Sequence, residues 1–287
     1  MGAIYGRELR SFFHTMTGYL FCAFLLVFAG VYTMAYNLNF NYPNFEYVLD
    51  GMSFIFMIAV PVLTMRGIAE ERRQKTDQLL YAQPVTLAKV VWGKYLAMLT
   101  VFAVPVAIIA FYPLILSAFG TVSFPTAYGA LAGFAMMGAA FIAIGLFISS
   151  VTENQAIAAV LCFLTLLVNF FLTSLTEFVS ASASASMIAL TVAALLIALL
   201  VRAMTKNGFA AILAFVLLEG GLFAVKTLKP SLLTNLLPDA MKWLSLFDRF
   251  EAFTSGVFDL TAIVFFIAVA LVFVFFTVQS LEKRRWS

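Results

Sequence analysis

Charge is scarce in this chain of 287 residues: Asp, Glu, Lys and Arg make up 11% of it, against 63% hydrophobic residues. A soluble domain carries roughly 25% charged residues. A sequence this apolar cannot cover itself in water, so its class is all-α polytopic membrane protein. Cysteine is nearly absent. Cys22 and Cys162 both sit in apolar runs, at a spacing that suits neither a disulfide framework nor a metal site. The one histidine, His14, has no cysteine or histidine neighbour and reads as an interfacial polar residue. A phosphate loop is missing as well. The only Gly-Lys pair is Gly93-Lys94, and Ala88 stands where GxxxxGK requires its first glycine. No HExxH, GxSxG or paired-carboxylate constellation appears in an apolar run. The chain is therefore expected to be no enzyme, to hold no metal or cofactor of its own, and to bind no nucleic acid.

What the sequence has in quantity is long apolar runs. A helix needs about 20 apolar residues to cross the hydrocarbon core, and runs of that kind fall at about 18–38, 52–69, 93–119, 126–150, 156–178, 185–204, 208–227 and 260–281. The first run has no small-x-small cleavage site after it and is expected to remain as the first membrane helix. Pro105 and Pro113 are expected kinks in the third. The sixth and seventh runs are joined only by the short RAMTKNG segment from Arg202, so 185–227 is either two spans or one re-entrant hairpin. This gives six to eight spans in a single domain, with eight preferred. With both termini inside, eight spans put thirteen of the seventeen Lys and Arg residues on the cytoplasmic side. The other four, Lys226, Lys229, Lys242 and Arg249, share one outer loop.

Two connections carry more than topology. The segment at 67–92 begins GIAEERRQKTDQLLYAQPVT, a polar island facing the cytoplasm. Residues 69–81 contain no proline or glycine and favour a short helix. Pro84 ends it, Gln83 before the proline is pushed out of the α region, and Thr86 can cap the next helix. Read blandly, the island is a charged loop that only fixes topology. The second connection, at about 231–258, contains PDAMKWLSLFDRFEAF. There Ala240, Trp243, Leu244, Phe247 and Phe250 recur at helical spacing, which predicts an amphipathic helix at the outer interface.

Polar residues inside the spans are few. Glu219 sits in ILAFVLLEGG, and an intramembrane acid is a functional candidate for an ion or proton, or else a protonated, bonded carboxyl. Asn169 raises the same question. Gly129-xxx-Gly133, followed by Gly138 and Gly145, marks a face that allows close helix approach within the protein.

The segment EERRQKTDQLLYAQPVT, followed by GKYLA, resembles the cytoplasmic coupling segment of ABC-2-type transporter permeases. SSVTENQAIAA from Ser149 resembles that family's short inner turn between spans four and five. LFDRFEAFTSGVFDL before the last span and LEKRRW at the C-terminus resemble the ending of the branch that includes gliding-motility and nitrous-oxide-reductase-maturation permeases. The resemblance implies an exporter permease of the inner (plasma) membrane, working as a homodimer or with a second permease in the lipid bilayer. It also implies a separate ABC ATPase subunit that binds ATP and Mg. Carried over onto this sequence, the ATPase contacts are Glu70, Glu71, Arg72, Arg73, Lys75, Thr76, Leu79, Leu80 and Pro84, with Arg7 and Glu8 as further candidates. The outer amphipathic helix would correspond to the family's re-entrant gating element. Lys75 stands where the family usually has glycine, and the 185–227 hairpin is extra to its usual six spans. Two other readings remain: a secondary transporter using Glu219, and a membrane anchor without transport of its own.

Overall fold

The computed structural model describes residues 2–40, 42–76, 86–178, 234–285 and a few positions between 186 and 219. Among these the chain is helical and has no strand. Six helical stretches are long and apolar enough to cross a membrane: Met16–Asn39, Glu46–Arg73, Leu87–Leu116, Phe124–Val151, Gln155–Thr176 and Leu260–Arg284. They coincide with six of the eight expected runs, and the chain is an all-α polytopic membrane protein. The other two runs, 185–204 and 208–227, lie largely outside the described residues.

Two compact units are distinguished, Met1–Val168 with Leu246–Ser287, and Asn169–Ser245. The first begins with α1 (Gly2–His14), an amphipathic helix separated from α2 (Met16–Tyr32) by extended backbone at Thr15. A π-helix, Thr33–Asn39, continues α2. Then come α3 (Glu46–Thr64), the short α4 (Ala69–Arg73), α5 (Leu87–Ile109), α6 (Tyr112–Leu116) and α7 (Phe124–Val151). The next helix, α8 (Gln155–Thr176), crosses the boundary between the units. The first unit closes with α10 (Leu246–Thr254) and α11 (Leu260–Arg285), while α9 (Leu236–Leu244) belongs to the second.

Alternating helices bring the ends of α1, α3, α5, α7 and α11 to one end of the first unit, here called proximal. Arg284 Nη2 meets Glu153 Oε1 there at 2.8 Å, and Arg66 Nη1 donates to Thr17 Oγ1 at 3.0 Å. The π-helix and the 110–123 connection lie at the distal end. Helix α3 starts at Glu46, six residues before the expected run, because that carboxylate sits in the first helical turn and accepts from Asn44 Nδ2 at 2.8 Å. Pro105 is contained in α5, and the third span instead breaks after Ile109, with Pro113 in the first turn of α6.

The middle of the first unit is built from phenylalanine. Phe56 of α3 lies 4.8 Å from Phe102 of α5 and 5.1 Å from Phe134 of α7, centroid to centroid. The amphipathic stretch expected as one helix is two, parted at Ser245. Its second half packs against protein. Phe250 is 1% exposed and 6.1 Å from Phe134, and Phe247 is 5.2 Å from Phe141, ten residues inside the proximal end of α7. At 1.5 Å rise per residue that is a depth of about 15 Å, so α10 enters the core of the unit. Of the aromatic stripe read from the sequence, Phe247 and Phe250 face α7, whereas Trp243 and Leu244 of α9 are exposed. Ring packing at this density contributes beyond the area buried, about 1 kcal/mol per pair.

Candidate functional site

The polar island leaves the membrane helix at Thr64 and turns through 65–68 into α4. Nothing on the island caps α4. The cap comes from α7, where Ser149 Oγ accepts from the backbone N–H of Ile68 (3.1 Å) and Ala69 (3.0 Å) and donates to the Met65 carbonyl (3.2 Å). Two of the amides that a helix start leaves unbonded are thereby satisfied from another helix.

The helix is short. The expectation was a helix over 69–81, whereas α4 ends at Arg73. Lys75 has φ 58°, in the left-handed region. Its N–H donates to the Arg72 carbonyl at 3.0 Å, and the Thr76 N–H to the Glu71 carbonyl at 3.0 Å. This pair of bonds is the Schellman termination, whose left-handed position glycine usually fills. Glycine, which the resemblance expects where this chain has Lys75, would suit this geometry, and the lysine bears the conformational penalty. Residues 77–85, with Leu79, Leu80 and Pro84, lie outside the described residues. Thr86 occupies the N-cap position of α5 without a side-chain cap bond.

Beneath α4 lies a ring of four charges. Lys94 of α5 is 2% exposed, and its Nζ meets Glu71 Oε1 at 2.8 Å and Glu8 Oε1 at 3.2 Å. Arg7 Nη2 meets the same two oxygens, at 3.2 Å and 2.7 Å. Each cation touches both anions, and the ring joins α1, α4 and α5. Helix α1 is held in place for this by Ile4, which packs over Gly93, and by the Tyr5 hydroxyl, 2.9 Å from Thr100 Oγ1. The hydrogen bond to Glu8, aided by the nearby charge of Glu71, raises the Arg7 guanidinium above its ordinary value and keeps it cationic. Within the ring Lys94 is the buried charge while Arg7 is exposed, and stranding Lys94 or its partners is expected to cost about 3 kcal/mol. The exposed pair Arg66–Glu70, at 3.9 Å, is worth a few tenths at most.

The structure divides the sequence candidates in two. Arg73, Lys75 and Thr76 are exposed and Glu70 is partly so, which leaves them open to a partner. Glu71 turns inward onto Lys94, and Arg72, at 5% exposure, is buried. Arg7, Glu8, Arg66, Glu70, Glu71 and Lys94 line a cavity of about 390 Å³ at this end. The arrangement ties α1, α4 and α5 together through charge. Lys94 and Ser149 were not singled out from the sequence for these roles. A lone lysine inside VVWGKYLAMLTVFAV is a signal in its own right, whereas a helix-end serine carries none.

The remaining candidates lie elsewhere. In the second unit Asn169 Nδ2 donates to the Leu244 carbonyl at 2.9 Å and Thr173 Oγ1 to Ser245 Oγ at 3.1 Å, tying α8 to the end of α9. Glu219 is half-buried there, with Oε1 lacking a hydrogen-bond partner among the described residues. Gly133 lies under the ring of Phe253, and Gly129 faces Phe258 more loosely. Further along α7, a side chain at Gly138 would collide with Phe102 and Phe56, and one at Gly145 with Thr64.

Residues 32–285 match the family model described as ABC-2 family transporter protein. No curated protein and no solved structure matches the chain significantly.

Proposed function

The chain belongs to the ABC-2 transporter family, and on that premise we propose that it is an export permease of the inner (plasma) membrane, coupled through α4 to ATP hydrolysis on its partner. Family membership makes it a non-enzymatic membrane subunit of an ABC transporter and implies an ABC ATPase as its partner. In this reading both termini and the proximal end face the cytoplasm. The distribution of positive charge supports that orientation: Arg7, Arg10, Arg66, Arg72, Arg73, Lys75, Lys89, Lys94 and Arg284 cluster at the proximal end, and 33–45 and 110–123 contain no lysine or arginine. Two copies, or this chain and a second permease, enclose the pathway. The motifs LFDRFEAFTSGVFDL and LEKRRW support a reading within the branch of gliding-motility and nitrous-oxide-reductase-maturation permeases.

The observation that carries the proposal is the buried ring around Lys94. A docking helix passes on motion only if it is fixed to the spans that must move. Here α4 is fixed to α5 and α1 by Lys94, and to α7 by Ser149. A partner that grips Glu70, Arg73, Lys75 and Thr76 and shifts on ATP binding would carry α5 and α7 with it, since separating the ring would strand buried charge. The mid-depth helix α10, packed on α7, then feels the same displacement from the distal side.

Co-purification tests the reading. An ATPase subunit is expected to come down with the chain, and the double reversal Glu70→Arg with Arg73→Glu is expected to weaken the association about tenfold. Lys94→Met is expected to bind the ATPase yet transport poorly per ATP hydrolysed. A chain that transports alone in liposomes on a proton gradient, indifferent to ATP, would overturn the proposal.

A further inference from the structure

Helix α1 sits at a membrane boundary and lies nearly flat on it. The Cys22 thiol is 3.7 Å from the Val101 carbonyl, which puts α2 and α5 at a common depth there. Gly93, on which Ile4 of α1 packs, is eight residues toward the proximal end of α5, about 12 Å. Met16, at the start of α2, is six residues proximal of Cys22, about 9 Å. The two ends of α1 thus differ in depth by roughly 3 Å, although Ile4 and His14 are ten residues, about 15 Å, apart. The side of α1 that carries Tyr5 and Glu8 is taken up by the bundle, against Thr100 and Lys94. An amphipathic helix in this attitude, leading into a span, sits at headgroup level. This holds whichever side of the membrane the proximal end faces.

The opposite side of α1 is open. With Gly2, Gly6, Arg7, Arg10 and His14 it lines a recess of about 730 Å³, and no carboxylate lines that recess among the described residues. The two glycines have nothing within 4 Å of where a side chain would stand, so they leave the space clear. Arg7 is compensated by Glu8 and Glu71. Arg10 and His14 are exposed, and the side chain of neither makes a hydrogen bond or ion pair among the described residues. Arg10 is therefore the uncompensated charge of the recess, and His14, one turn on, adds an N–H donor.

An apolar surface adjoins these cations. Phe13, one turn after Arg10, meets the ring of Tyr19 of α2 edge-on at 5.6 Å, and aromatic rings of this kind gather at the membrane–water boundary. Met16, Tyr19 and Leu20 are exposed, Met16 at 87%. An acyl chain lying along them brings its phosphate to the level of Arg10 and His14. The charge there selects among headgroups. A phosphate receives the guanidinium in a charge-assisted bond, whereas the ammonium of a zwitterionic lipid would approach Arg7 and Arg10 with like sign. An acidic protein surface would satisfy the same cations but leave the apolar wall beside them uncovered.

We propose that the open face of α1 binds an anionic phospholipid, its phosphate held by Arg10 and His14 beside Gly6 and its chains lying along Met16 and Leu20. The test uses the full-length protein in nanodiscs made of equal parts phosphatidylglycerol, phosphatidylethanolamine and phosphatidylcholine. Lipids retained after mild detergent extraction are counted by native mass spectrometry. Phosphatidylglycerol is expected to exceed either zwitterionic lipid by about fivefold, the discrimination one arginine near a charged membrane surface supplies. Arg10→Gln, and Gly6→Leu, which fills the recess, are each expected to bring the ratio toward one. Lys89→Gln is the control, since Lys89 is exposed at the same end, has a side chain likewise unpaired among the described residues, and does not line the recess. Its loss is expected to leave the ratio unchanged. Equal retention of the three lipids overturns the proposal. So does an equal fall in the Lys89 variant, which would mean diffuse attraction to the whole basic end. Displacement of the lipid by free glycerol phosphate overturns it as well, because the recess would then take a soluble phosphate. An unchanged ratio in Arg10→Gln overturns the proposal even if Gly6→Leu fails to fold, and loss of the ATPase from that variant on co-purification would make the face a protein contact instead. The lipid count itself needs no ATPase, so the coupling proposal stands or falls separately.

Discussion

At the proximal end the connections between helices are tied by ions, with Lys94 and Arg7 shared between Glu8 and Glu71 and Arg284 on Glu153. At the distal end carboxylates hold the helix starts at Glu46 and Asp259, while 33–45 and 110–123 are otherwise held by neutral groups: Asn37 on two carbonyls, the Tyr128 hydroxyl on the Ala110 carbonyl at 3.0 Å, and stacked tyrosines 32 and 36. The difference is one of stiffness against separation. An ionic ring closed on the buried Lys94 must move as a body or leave that charge unpaired. Neutral bonds and aromatic contacts each contribute about 1 kcal/mol and exchange for others of similar strength. In the proposed reading the proximal end transmits displacement and the distal end accommodates it.

The sharpest way to break this contrast is Lys94→Met, expected to destabilise the purified protein by about 3 kcal/mol in denaturant melts. A loss no larger than that of a surface lysine would remove the ring's special standing. Ser149→Ala comes next. It leaves the Ile68 and Ala69 amides without their acceptor, and about 2 kcal/mol is expected, with faster amide exchange at the start of α4. Lys75→Gly should act in the other direction, stabilising by up to about 1 kcal/mol because glycine adopts the left-handed conformation freely. A destabilised glycine variant would show that the lysine side chain has a role of its own.

The smallest effect belongs to the distal side. Bonds from the Thr261 backbone, at 2.8 Å to the carboxylate, lower Asp259 below the usual aspartate value at the start of α11. A carboxylate lowered by folding stabilises above the unfolded value of about 3.9 and loses that contribution as pH falls through the lower folded value. Acid titration should therefore loosen the start of α11 slightly below about pH 4, seen as faster exchange of the Thr261 amide. Asp259→Asn should flatten that response.

Six spans were legible in the sequence because hydropathy over about 20 residues survives any detail of packing. The start of α3 was not, since Glu46 and Asp50 look polar until Asn44 is seen to bond the first. The polar segment at 67–92 was recognisable by its charges, but the end of α4 was not. Helix propensity over 69–81 is local, and the termination depends on a left-handed Lys75 that propensity disfavours. The aromatic period of 240–250 was read correctly as helical, but not its break at Ser245 or the packing of Phe247 and Phe250 on α7. Amphipathicity tells which face is apolar, and it does not say whether lipid or protein covers that face. The roles of Lys94 and Ser149 arise from residues far apart in sequence, with 86 positions separating Lys94 from Glu8 and 81 separating Ser149 from Ile68.

The uncharged distal connections also bear on biogenesis. In the orientation proposed above, 40–45 and 110–123 are the segments that a translocation machinery must push through the bilayer as the first four helices are made. A charged side chain at the membrane centre adds about 3 kcal/mol on insertion scales, and these segments contain none. Arg7 and Arg10 are synthesised before the first span and are held back. In that orientation the direction of threading would be set before α3 has left the ribosome, by the helix that later contributes Arg7 and Glu8 to the ionic ring.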